Sequence, residues 1–224
     1  MGSGASPTLR FPLILLAIAD LAALGMRLWP WQQVGNLPLN GATGFDPAVC
    51  LIAYVIVFLW IGQTHDDSTK KALLNGALLG IVAGLFLAAE VALGAQPPAP
   101  DISPVQHMRL GLLVAAGILW GIAGIRGSHI AGDTTDGLVA SIWSAMTSAL
   151  MGCGAVLAES YLAAAPAPET LDPWKQYEGL AIGNPATQML VHSLNSATAF
   201  LLFSPLLGAA LGLVFSQIAP SRKS

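Results

Sequence analysis

Apolar residues in this chain fall into long runs, with the polar residues gathered between them. Six runs stand out, at about 11–28, 47–62, 73–93, 110–125, 137–162 and 189–218. Each approaches the roughly 20 residues that a helix needs to cross a hydrocarbon core about 30 Å thick. A helix satisfies its own backbone hydrogen bonds, which lipid cannot do for it. No stretch sustains the two-residue alternation of a barrel strand. The pattern predicts an all-α, polytopic membrane protein, a bundle of six transmembrane helices forming one integral membrane domain over residues 1–224.

Composition removes the alternatives. Of 224 residues, 54% are hydrophobic and only 9% are charged, where a soluble domain carries about 25%. That deficit excludes a soluble globular enzyme and a disordered chain. The net charge of −3 offers no basic footprint for nucleic acid. The expected partner is the lipid bilayer. Cys50 and Cys153 are isolated in apolar runs and read as small hydrophobes, not as a disulfide framework.

The first run has one feature of a signal peptide, a preceding Arg10. However, it carries Asp20 at its centre and is followed by Arg27 and Trp29-Pro30-Trp31, an interfacial cluster instead of a small-residue cleavage site. It reads as a retained helix. Met1 to Ser6 fits the N-myristoylation pattern, which a start rich in Gly, Ser and Ala meets easily by chance. With a cytoplasmic N-terminus, six basic residues (Arg10, Lys70, Lys71, Arg126, Arg222, Lys223) lie inside and three (Arg27, Arg109, Lys175) outside. The bias predicts both termini in the cytoplasm. The outer segments, Pro-rich from Gln96 to Val105 and acidic and aromatic from Pro166 to Gln188, then form a thin cap.

Two stretches resemble each other. Leu59-Trp60-Ile61-Gly62 and Leu119-Trp120-Gly121-Ile122 each lead into a polar loop containing a histidine and acidic residues, with His65 in one and His129 in the other. Each loop then enters a helix with small residues at every fourth position: Gly76, Gly80 and Gly84 in the third span, Ala140, Ser144 and Ser148 in the fifth. Glu90 and Glu159 stand near the far ends of these helices. These matches suggest a duplicated helical hairpin with parallel copies. The small-residue faces let helix backbones approach closely, within the chain or through self-association and contact with other membrane subunits.

Asp20 lies near the middle of its span, where a carboxylate costs about 2.5–3.5 kcal/mol on insertion scales. It must face the bundle, either handling protons or cations or remaining protonated and hydrogen-bonded to a neighbouring helix. A second set, Glu90, Glu159, His192 and Asn195, falls in the outer third of the membrane in this topology. His192 and Asn195 are three apart and share a helix face. Glu90 lies roughly 80°, and Glu159 roughly 60°, from the middle of its own small-residue face. Both glutamates can therefore turn into one crevice with His192, with Asp20 beneath it and Trp174 and Tyr177 of the outer loop covering it. Two carboxylates and an imidazole suit a divalent metal or a proton relay. Each also lies only a few residues from water, where an ionisable group is cheap.

The remaining polar positions have simpler readings. Asp66-Asp67-Ser68-Thr69 and Asp133-Thr134-Thr135-Asp136 precede helices and serve as N-caps. Neither His65 nor His129 has the spacing of a metal site. Pro205 should kink the sixth helix. No phosphate loop, nucleophile elbow, zincin or dinucleotide fingerprint occurs, so no catalytic residue, metal ligand or cofactor is assigned. Three functions compete. A small scaffold or accessory membrane subunit fits best, because only Asp20 lies deep. A proton- or cation-coupled transporter would use Asp20. A membrane enzyme would use the outer Glu/Glu/His set, which no catalytic spacing supports.

Overall fold

The computed structural model describes residues 10–33, 46–61, 67–94, 104–162 and 185–218. They form six helices: α1 (Arg10–Gln33), α2 (Asp46–Ile61), α3 (Asp67–Gly94), α4 (Pro104–Ala131), α5 (Thr134–Leu162) and α6 (Pro185–Ser216). Five of them are long and apolar enough to cross a membrane, so the chain has the build of a helical, multi-pass integral membrane protein. The second span is the exception. α2 has 16 residues, about 24 Å at 1.5 Å per residue, short of a core about 30 Å thick. His65, Asp66, Trp174, Lys175, Tyr177 and the other residues of the two outer segments up to Asn184, save Pro104 and Val105, lie outside the described residues, as do the two chain termini.

The helices extend past the apolar runs because those runs mark hydrocarbon depth only. α3 begins at Asp67 instead of Leu73, and α4 begins at Pro104, a first-turn position where the missing amide is no loss. Between α4 and α5 the chain reverses in two residues. Gly132 adopts φ +82°, a left-handed conformation natural to glycine, and its amide donates to Ser128 O at 2.8 Å, closing α4. Asp133 then caps α5, its Oδ1 accepting from the Thr135 amide at 3.3 Å. Thr69 Oγ1 donates to Asp136 Oδ1 at 2.9 Å, tying the first turn of α3 to that of α5.

α5 is the central helix. Of its most apolar window 72% is buried, against 22–44% for the other four long helices. α1, α3, α4 and α6 pack on it, α4 also packs on α3 and α6, and α2 rests on α1 and α6. The two similar stretches are therefore packed differently: α4 lies along α5, whereas α2 does not lie along α3.

α3 approaches α5 through its glycines. A β-carbon at Gly76 would lie 2.6 Å from Ala140 O, and one at Gly80 would lie 2.5 Å from Ser144 O and 2.7 Å from Thr147 Cβ. The third step differs from a simple register. Gly84 meets Met151, while Ser148 turns to α4 and accepts from Trp120 Nε1 at 3.0 Å. A four-residue repeat overshoots a full turn by about 40° per step, so by its third member the stripe has rotated about 80° away.

On the other side, Phe58 of α2 meets Trp143 of α5 edge-on, with ring centroids 4.7 Å apart. α6 stays helical through Pro205. Proline has no amide to donate to Leu201 O four residues back. Tyr54 of α2 supplies the missing donor, its hydroxyl 2.8 Å from Leu201 O.

Candidate functional site

α4 and α6 touch in the half of the bundle near the α4–α5 turn, Gly121 against Phe215 and Gly124 against Gly212. Toward the other end they part and leave a cavity of about 650 Å³ bounded by α3, α4, α5 and α6. That volume is within the range of small-ligand pockets, about 300–1,000 Å³. From Arg109 to Trp120 on α4 the lining rises through eleven residue steps, about 16 Å, and from His192 to Leu207 on α6 through fifteen, about 22 Å. Leu113, Phe203 and Leu207 line the cavity yet are 40%, 61% and 52% exposed, so it opens sideways between α4 and α6.

Its two ends differ chemically. Glu90, Arg109, Glu159 and His192 line one end, with Ser193 and Ser196 beside them. Leu87, Trp120, Phe200 and Phe203 line the deeper part. Glu90 is buried on α3, and Arg109 holds it, donating from Nε at 2.9 Å and Nη2 at 2.5 Å to Oε1. Gly94, one turn beyond Glu90, makes room for this guanidinium, because a β-carbon there would lie 2.9 Å from Arg109 Nη2. Glu159, near the end of α5, has His192, Arg109 and Glu90 as its electrostatic neighbours.

Glu90, Glu159 and His192 thus line one cavity. Asn195 does not join them: it is exposed and absent from the lining. At about 100° per residue, the lining residues of α6 centre roughly 45° from His192 on the Ser196 side, while Asn195 lies about 60° the other way. Asp20 is also elsewhere. It is 4% exposed and packs on α5 at Gly154, where a β-carbon would lie 3.0 Å from its Oδ1. Gly154 and Glu159 are five residues apart, about 140° around α5, so Asp20 and the cavity occupy nearly opposite faces. Its Oδ2 is buried without a hydrogen-bond partner among the described residues. Also among the described residues, no three His, Cys, Asp or Glu side chains converge closely enough to hold a metal ion.

Arg109 is the site residue that sequence reasoning missed, having been counted only as a loop charge. Its signal was available: Glu90 lies four residues before the end of α3 and Arg109 five after the start of α4, so an antiparallel pair brings them to one depth. No family model, curated protein or solved structure matches the chain.

Proposed function

We propose that this chain is a small accessory membrane protein whose α3–α6 core takes up an amphiphilic molecule sideways from the bilayer. One observation carries the reading: a laterally open cleft joins a charged end (Glu90, Arg109, Glu159, His192) to an apolar wall (Leu113, Trp120, Phe203, Leu207). Its length, about 16–22 Å, is one leaflet or somewhat more, a leaflet being half of a core about 30 Å thick. A headgroup would meet the charged end while its chain replaced lipid against the wall. The test uses hexadecyl amphiphiles carrying a diazirine in the chain and the protein in phospholipid nanodiscs. Adducts should concentrate on Leu113 and Phe203. Adducts spread evenly over these and the exposed Val82 and Leu85 of α3 would refute the reading.

α2 serves as the sixth span, and both termini face the cytoplasm. Reporter fusions at Ser224 and near Glu169 should then report opposite sides of the membrane. Gly76, Gly80 and Gly84 are spent on α5, so contact with other subunits would use another face. A second reading, proton or cation handling at Asp20, is favoured by its buried Oδ2, which has no hydrogen-bond partner among the described residues. It needs a path separate from the cleft. Enzymatic use of the Glu/Glu/His set is weakened because Glu90 is already committed to Arg109.

A further inference from the structure

The geometry points to a specific headgroup: we infer that the cleft selects amphiphiles with a cationic head, held by Glu159. The inference rests on the amphiphile reading above and adds the ligand's charge. At the charged end, Arg109 compensates Glu90 through two hydrogen bonds to one carboxylate oxygen. Among the described residues Glu159 then has near it, to offset its charge, only the imidazole of His192 and the already committed guanidinium of Arg109, so with histidine counted as neutral the end carries one net negative charge. A half-buried carboxylate is stabilised by an opposite charge within about 4–6 Å. The head of an incoming amphiphile can supply it, whereas an anionic head would add a second negative charge beside Glu159, with Arg109 already committed to Glu90.

The Glu90–Arg109 pair contributes by what it withholds. An arginine alone at a cavity end recruits carboxylates and phosphates through its fork of donors. Here the fork is turned onto Glu90, from a guanidinium seated over Gly94. Ser193 and Ser196 also line the cavity; a serine hydroxyl can donate to a carboxylate or phosphate but not to a trimethylammonium group, so the charge at Glu159 has to outweigh them. Selectivity is therefore a matter of charge, with the apolar wall supplying contact common to all single-chain amphiphiles.

The experiment compares three photoreactive hexadecyl probes with trimethylammonium, phosphocholine and carboxylate heads, on the full chain in nanodiscs. The trimethylammonium probe should label Leu113 and Phe203 at about tenfold lower concentration than the carboxylate probe. Glu159→Gln should remove that preference, and Glu159→Asp should retain it. Equal or stronger labelling of the cleft by the carboxylate probe overturns the inference while leaving the amphiphile reading intact. Undiminished preference in Glu159→Gln overturns it too. Failure of all three probes to label the cleft would instead sink the amphiphile reading itself. If Glu159→Gln does not fold, the preference of the unaltered protein still decides the charge of the head.

Discussion

Adding one methyl group at Gly80 tests the close contact of α3 with α5. In Gly80→Ala the new β-carbon would lie 2.5 Å from Ser144 O and 3.0 Å from Ser144 Cα. These are backbone atoms, so no rotamer change relieves the clash. Reaching ordinary contact at 3.4 Å requires the helices to part by about 0.9 Å at that point. Overpacking of this kind costs about 1–3 kcal/mol, and the better helix propensity of alanine returns about 1 kcal/mol. Gly111→Ala is the matched control: it makes the same change in α4 with nothing within 4 Å of the new atom. The difference between the two variants isolates overpacking, about 1–3 kcal/mol, or roughly 2–12 °C at about 2–4 °C per kcal/mol for a chain of this size. Thermal unfolding can be followed by a thiol-reactive dye in a Cys50→Ser background, because Cys153 is fully buried until the bundle opens. Identical midpoints for Gly80→Ala and Gly111→Ala would show that α3 does not rest on α5 along this stripe.

Tyr54→Phe leaves Leu201 O without a donor and should cost about 1–3 kcal/mol. Adding Pro205→Ala returns an amide at that point, so the double variant should recover stability by the same thermal assay. Arg109→Ala strands Glu90, whose side chain is 9% exposed, and should cost on the order of 2–4 kcal/mol. Solvent around Arg109, itself 41% exposed, holds the cost below that of breaking a fully buried pair. Glu90→Gln should cost less, and a double-mutant cycle between the two positions measures their coupling. On the second reading, in which Asp20 handles protons or cations, Asp20→Asn should preserve the unfolding midpoint but reduce pH-gradient-driven flux in proteoliposomes. Unchanged flux would make Asp20 a structural acid only.

Depth was legible in the sequence and direction was not. Apolar run lengths locate the helices because hydrocarbon imposes both length and internal hydrogen bonding. They understate α3 and α4, whose polar first turns lie beyond that core. Topology alone puts Glu90, Glu159 and His192 at one level. Whether two residues at one level meet depends on helix rotation, and there the errors concentrate. Asn195 turns away from the face that His192 enters, and Asp20 packs on the side of α5 opposite Glu159. Ser148 leaves its stripe for Trp120 because a four-residue spacing drifts around a helix. Tyr54 was hidden for another reason: its partner is a backbone carbonyl 147 residues away, freed by a proline on another helix. No local pattern records such a pairing.

The floor of the cleft and the tight packing below it have a common origin in α5. A soluble core would fill a central helix with leucine, but in lipid the transfer of leucine inward gains little, so close approach and hydrogen bonding decide the interior. α5 accordingly buries Ser141, Ser144, Thr147 and Ser148 completely. Thr147 returns its proton to Trp143 O at 2.8 Å, and Ser148 to Ala145 O at 2.9 Å. Ser141 differs, because its Oγ sits 2.9 Å from Trp120 O on α4 and 2.7 Å from Gly208 O on α6. A single hydroxyl proton serves both carbonyls and draws two helices toward α5 at one level. Immediately above that level, Trp120 and Leu207 begin the cavity lining. The small polar residue that brings α4 and α6 together thereby fixes where they part, and so how deep the cleft can run.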